Sequence, residues 1–260
     1  MTRAPALAGV RALLVDLEGT VYQDRRLIPG AAEALAAAAA RGVPHRFVTN
    51  TTSRPRATIV RELAAMGLAV DPDWVFTAPR AAHAFLLDRG WTRCDLLVAD
   101  ALREDFPGIG QDDAAPQAVV LGDLGHGLTY ARLNRAFRHL LSGAAFLTLA
   151  RNRYWRAADG FMLDLGAFAA ALEYAAGREA TLVGKPSPAF FHAALASLGV
   201  GAADAAVIGD DLESDVGGAQ AAGLRGVLVK TGKFRAEHAA GSPVRPDATL
   251  DSLARLTDLL

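Results

Sequence analysis

Four short segments of this chain set a carboxylate, a hydroxyl or an ammonium at the end of an apolar run. Asp16 and Glu18 follow Leu13-Leu14-Val15; Thr49 and Asn50 follow Phe47-Val48; Lys185 follows Leu182-Val183-Gly184; Asp210, Asp211 and Asp215 follow Val207-Ile208-Gly209. Three or more carboxylates gathered in one crevice repel one another unless a cation sits among them, and a hard divalent ion resolves that repulsion. Mg²⁺ takes oxygen ligands and usually keeps waters beside one or two carboxylates, which suits Asp16 and Asp210 as direct ligands. Lys185 adds a second positive charge, while Thr49 and the N–H groups after it add donors. Cation, ammonium and hydroxyl together make a receptor for a phosphoryl group. An Asp carboxylate can then attack phosphorus and form an aspartyl-phosphate, provided the charge between the two anions is neutralised.

This chemistry requires the four segments to share one edge of one sheet. Leu13 to Val15 run into Asp16 and a Gly19-Thr20 turn, the pattern of a buried strand holding a carboxylate at its carboxyl end, where open α/β sheets bind ligands. A helix over 31–40 stops at Arg41-Gly42 before Pro44, and a second strand spans 45–49. Ser53 is expected to cap the next helix, with Pro55 in its first turn and an end at Met66-Gly67. A third strand over 75–78 leads to a helix from Pro79 through Leu87.

A second series follows, with strands at 95–99, 118–121 and 146–149, a helix at 129–141 and a surface loop at 106–113. The first style then returns: a strand at 181–183, a helix at 188–198, strands at 205–208, 226–229 and 248–250, and a C-terminal helix from Asp251. The order implies a parallel, Rossmann-like α/β sheet core built from residues 1–78 and 181–260, with a smaller α/β cap domain inserted at 79–180. An insertion near the ligand edge is expected to act as a lid.

Composition narrows the partners. Hydrophobic residues make up 52% of 260 and charged residues 21%, enough for a sizeable core. A net charge of −1 supplies no long-range field to gather nucleic acid or an anionic membrane. The single cysteine, Cys94, excludes an intrachain disulfide and a cysteine-based zinc site. Met1 to Gly9 lack the apolar core of a secretory signal, and the Ala-rich run 34–40 is too short to span a bilayer, so a soluble cytoplasmic protein is the default expectation. The six histidines show no ligand spacing and receive no catalytic role.

The segments Asp16-Leu17-Glu18-Gly19-Thr20, Val48-Thr49-Asn50, Gly184-Lys185-Pro186 and Gly209-Asp210-Asp211-Leu212-Glu213-Ser214-Asp215 resemble, in order and spacing, the four motifs of the haloacid dehalogenase-like hydrolases. The insertion resembles that family's type II α/β cap. The resemblance covers nearly the whole chain, and the four motifs are specific as a set, though each alone is weak. It implies that Asp16 is the nucleophile and a Mg²⁺ ligand, and that residue 18 binds the metal through its backbone carbonyl. Thr49 and Asn50 would hold phosphoryl oxygens, Lys185 would neutralise charge, and Asp210 would complete the metal site. Asp211 and Asp215 would act through these groups or through water. Arg151 to Arg156 follow a cap strand and mix cationic and aromatic groups, Tyr154 and Trp155 among them, a composition suited to binding an anionic or planar substrate. The resemblance places Trp155 at a substrate-specificity loop, and a hydrophobic anchor between cap and core is the alternative. Caps of this type pair in the family, so a homodimer through the cap is a further expectation.

One position departs from the family pattern. A phosphatase of this family carries Asp two residues after the nucleophile, as general acid and then base, and here the residue is Glu18. The extra methylene moves the carboxyl by about 1 Å, a displacement that can cost on the order of 10²-fold in rate. The expected function is a Mg²⁺-dependent phosphatase for a small phosphorylated metabolite, pyrophosphate or a phosphoramidate. The alternatives are a catalytically weak binding or scaffold protein of the same fold, suggested by Glu18, and a response-regulator-like module. That module would have about half this length and no insertion.

Overall fold

The structure is a computed structural model describing residues 6–157, 160–196 and 198–260. Residues 1–5, on which the signal argument partly rests, and residue 197, inside the helix expected at 188–198, lie outside the described residues. In chain order the strands and helices begin with β1 (Ala12–Asp16), the hairpin β2 (Tyr22–Gln23) and β3 (Arg26–Leu27), α1 (Ala31–Ala40), β4 (His45–Thr49), α2 (Arg56–Ala65) and β5 (Val75–Thr77). There follow α3 (Ala78–Asp88), β6 (Arg93–Leu97), β7 (Gly110–Gln111), β8 (Ala118–Leu121), α4 (Tyr130–Leu141) and β9 (Ala145–Thr148). Next come β10 (Tyr154–Ala157), β11 (Gly160–Leu163), α5 (Leu165–Ala176) and β12 (Thr181–Leu182). The chain ends with α6 (Pro188–Ala196), β13 (Ala205–Gly209), α7 (Gly218–Ala221), β14 (Arg225–Val229), α8 (Ala236–Gly241) and β15 (Ala248–Leu250).

Two compact units result: Met1–Thr49 with Ala57–Phe76 and Lys185–Leu260, and Asn50–Arg56 with Thr77–Gly184. The first unit holds a six-stranded sheet in the order β15-β14-β13-β1-β4-β5. β1 pairs in parallel with β13 and β4, β13 with β14, and β14 with β15. The central strands are buried along their whole length, as sheets covered on both faces require, and their sequences are correspondingly continuous apolar runs. From β1 the chain steps outward through β4 and β5 on one side and returns through β13, β14 and β15 on the other. Strand order therefore reverses at β1, and a crevice opens at the carboxyl ends of β1 and its neighbours. α1 packs its buried Ala31, Ala34, Leu35 and Ala38 inward, and these small side chains permit close approach to the sheet.

The second unit carries a five-stranded sheet, β12-β9-β8-β6-β7. Its core includes Asp95, fully buried in β6, which accepts hydrogen bonds from Arg135 at 2.6 and 3.2 Å and from Gln111 at 2.9 Å and pairs with His139 Nδ1 at 3.1 Å. A charge in this interior is tolerated because its oxygens are partnered. Cys94, one residue earlier, is buried, and burial pushes its thiol up to about 11.

Several local expectations are corrected. Thr181-Leu182 does not rejoin the first sheet; it pairs with Leu147-Thr148 of β9 as an edge strand of the inserted unit. The loop at 106–113 contains β7, paired with Arg93-Cys94. β6 starts two residues earlier than the apolar run suggests, and Thr77 leaves the strand's end to cap α3 through a bond from Arg80 N–H. α2 begins at Arg56, so Pro55 precedes the helix and Ser53 is too far upstream to cap it. The C-terminal segment forms a 3₁₀ helix, Leu253–Asp258, rather than an α-helix from Asp251.

Candidate active site

Asp16 is the last residue of β1, and its neighbour across the register is Val48, so Thr49 closes the adjacent strand on the same edge. Asp210 follows β13, the strand on the other side of β1. Beyond it the chain enters a π-helical turn, Leu212–Gly217, capped by Asp211, whose Oδ1 accepts from Ser214 N–H at 2.9 Å. The wide turn swings Asp215 back until its Oδ2 accepts from Asp211 N–H at 3.1 Å. Such π-turns recur at functional sites. Gly209 makes room for this return: a Cβ there would lie 2.2 Å from the Asp215 carboxyl carbon.

Lys185 joins the strand ends. Its Nζ stands 2.6 Å from Asp16 Oδ1 and 2.6 Å from Asp215 Oδ1, with all three side chains buried. Thr20 Oγ1 donates to Asp16 Oδ2 at 3.4 Å. Burial raises the Asp16 carboxyl above the usual range; the Lys185 ammonium opposes that rise, and Asp210 adds to it. Burial likewise pushes Asp210 and Asp215 up to about 6. Burial alone would lower Lys185, but the carboxylates of Asp16 and Asp215 outweigh it and hold the ammonium charged.

Asp16, Asp210 and Asp215 each present a carboxylate oxygen within 4.8 Å of the others. Asp215 uses both its oxygens, one for Lys185 and one for the Asp211 N–H, whereas Asp210 Oδ1 accepts no hydrogen bond among the described residues. Four carboxylates, those of residues 16, 210, 211 and 215, face the two ammonium groups of Lys185 and Lys233. The excess of two negative charges matches one divalent cation, and an all-oxygen donor set suits Mg²⁺.

The remaining expected residues divide by position. Thr49 is buried at the edge beside Asp16. Glu18 is exposed, forms a β-bridge with Tyr22, and pairs its carboxylate with no described residue. Asp211 is held below the usual carboxylate range: burial would raise it, and the Lys233 ammonium at 3.2 Å together with the Ser214 N–H outweighs burial. Asn50 belongs to the second unit, where its Oδ1 lies beside Gly184, which has no side chain to displace it. Tyr154 is exposed in β10 of that unit and packs edge-on against Phe161. Trp155 occupies the next strand position, opposite Met162, with its side chain outside the described residues.

Sequence reasoning missed the turn after β14. Lys233 N–H donates to Asp210 Oδ2 at 2.6 Å, and a cleft of ≈ 210 Å³ beside it is lined by Asp210, Asp211, Glu213, Lys233, Arg235 and His238. No local signal marks this turn, because its place at the site depends on β14 lying beside β13.

A family model described as haloacid dehalogenase-like hydrolase matches residues 13–111, and a second, described as HAD-hydrolase-like, matches residues 182–256. The chain is 41% identical over 260 residues to the phospholysine phosphohistidine inorganic pyrophosphate phosphatase of Bos taurus, covering 98% of this chain and 95% of that one. Its fold is similar to a 4-nitrophenylphosphatase from Thermotoga maritima, with a TM-score of 0.90, 31% identity, and coverage of 97% of this chain and 98% of that one. It is also similar to a glycerol phosphate phosphatase from Mycobacterium tuberculosis solved with magnesium, with a TM-score of 0.85, 28% identity, and coverage of 98% and 79%.

Proposed function

The chain belongs to the haloacid dehalogenase-like hydrolases, and from that premise we propose that it is a Mg²⁺-dependent phosphatase working through an aspartyl-phosphate at Asp16. The observation that carries the proposal is the Lys185 ammonium set between the Asp16 and Asp215 carboxylates, with Asp210 in the same cluster. Asp16 attacks phosphorus, and the bond to the leaving group breaks as the new P–O bond forms. Lys185 offsets the negative charge on nucleophile and phosphoryl group, and Thr49 lies at the neighbouring strand end to donate to a phosphoryl oxygen. Asp16 and Asp210, together with the backbone carbonyl of residue 18, would hold Mg²⁺, which would supply the charge neutralisation that lets one anion approach another. Glu18 donates a proton to the leaving group and then withdraws one from the water that hydrolyses the acyl-phosphate. Its exposure leaves the carboxylate free to reorient, which supports that role despite the longer side chain.

The substrate is a small phosphorylated compound. The similarity to a phosphatase named for pyrophosphate, phospholysine and phosphohistidine supports P–O and P–N bonds as targets, with pyrophosphate as the first candidate. A panel containing pyrophosphate, phospholysine, phosphohistidine, glycerol phosphate and 4-nitrophenyl phosphate tests the reading. Phosphate release with Mg²⁺, abolished by chelator and by Asp16→Asn, is expected. Failure on every compound favours the binding or scaffold alternative raised by Glu18.

A further inference from the structure

The turn Thr231-Gly232-Lys233 follows β14 and belongs to none of the four motif segments, yet it touches both halves of the acidic cluster. Thr231 Oγ1 donates to the backbone carbonyl of Gly19, in the turn that follows the nucleophile. Two residues on, the Lys233 N–H donates to Asp210 Oδ2 at 2.6 Å. Between them Gly232 passes so close that a Cβ would lie 2.0 Å from that same oxygen and 2.6 Å from Gly19 Cα. Gly19 is equally constrained from its side, where a Cβ would lie 2.1 Å from Asp210 Oδ2. Both glycines have positive φ, +89° and +58°, so their backbone and their surroundings each demand glycine.

We infer that Thr231-Gly232-Lys233 is a strap of the metal site, tying the nucleophile turn to Asp210 so that the two carboxylates keep the spacing one divalent ion requires. The inference rests on the Mg²⁺ reading above. Asp16 and Asp210 end different strands, and each is continued by a loop, so the sheet fixes their roots and not their carboxylates. Their mutual repulsion favours separation. The strap opposes it from both ends: one hydroxyl holds the Gly19 turn, and one N–H engages a single oxygen of Asp210, leaving Oδ1 for the metal. Hydrogen bonds that orient a ligating carboxylate commonly matter ten- to a hundredfold in metal affinity. A turn that merely tidied the end of β14 would affect folding stability and leave that affinity alone.

The test is direct Mg²⁺ titration of the metal-stripped full chain by calorimetry, with the melting temperature in chelator measured alongside. Thr231→Val removes the hydroxyl at nearly constant volume and is expected to weaken Mg²⁺ binding about tenfold while leaving the metal-free melting temperature essentially unchanged. Thr231→Ser restores the hydroxyl and is expected to return affinity to near the parent value. Gly232→Ala, which forces the strap off Asp210, is expected to weaken binding more than either. Equal Mg²⁺ affinity for the parent and a folded Thr231→Val or Gly232→Ala overturns the strap, as does a fall in melting temperature with affinity unchanged. A parent chain that binds no Mg²⁺ rejects the metal reading and the strap together, whereas binding indifferent to the strap rejects the strap alone.

Discussion

Asp16 and Asp215 share one ammonium: Lys185 Nζ lies 2.6 Å from an oxygen of each. One carboxylate ends β1 and the other lies in the π-helical turn after β13; they would repel across a buried space, so the lysine is both a structural clamp and the nearest positive charge to Asp16. Lys185→Met should therefore act on two observables. Leaving two buried carboxylates unpaired should reduce metal-free stability by on the order of 3 kcal/mol, measured by urea unfolding at pH 7.5. Turnover of 4-nitrophenyl phosphate by the folded fraction should fall about 10²- to 10³-fold. A variant that is as stable and as active as the parent would remove Lys185 from the site.

Glu18 separates efficient catalysis from a weakened site. Glu18→Gln preserves size and removes the transferable proton, and should lower kcat by roughly 10²- to 10⁴-fold with little effect on KM, if the leaving group is a poor one. With 4-nitrophenyl phosphate, whose leaving group needs less protonation, the loss should be smaller. Glu18→Asp should retain activity well above Glu18→Gln. Identical kinetics for the parent and Glu18→Gln on both kinds of substrate would mean that another group moves the proton.

The fold's acid sensitivity should have one identifiable contributor outside the site. His45 lies buried at the start of β4, against Phe47 and Trp74, with Nδ1 unpartnered. Burial, with help from the Arg46 charge, lowers its pKa from 6.5 to about 4. The unfolded chain therefore takes up this proton more readily than the folded one. Stability from neutral His45 is full above the unfolded pKa and drains as pH falls towards 4. Between pH 7.5 and 5 the parent should lose on the order of 2 kcal/mol that His45→Phe does not, read from unfolding curves at each pH. Parallel pH profiles for the two proteins would show that His45 protonates freely in the folded state.

Asp16, Thr49 and Asp210 were legible because each follows an apolar run, and strands buried on both faces of a parallel sheet make such runs unambiguous. Lys185 was visible as a cation after Val183-Gly184, and the structure sets its ammonium against Asp16 at the edge where Thr49 and Asp210 also lie. The strap was not legible. Thr231 to Lys233 matter because β14 lies beside β13, and adjacency of strands is a property of the sheet that no local pattern encodes. Thr181-Leu182 misled for a related reason: two residues leading straight to Lys185 look like the strand that delivers it, while their pairing with β9 depends on a partner more than thirty residues upstream. Asp95 opens the strand expected at 95–99, but its partners Arg135 and His139 become its neighbours only when α4 reaches β6.

The central claim is that Asp16 itself takes the phosphoryl group. The most direct measurement is acid quenching of the full chain within the first turnover on pyrophosphate or 4-nitrophenyl phosphate with Mg²⁺, followed by peptide mass spectrometry. A single phosphate on the peptide carrying Asp16, absent in chelator and in Asp16→Asn, is the predicted result. Turnover that survives Asp16→Asn, or a phosphate carried by any other residue, would contradict it.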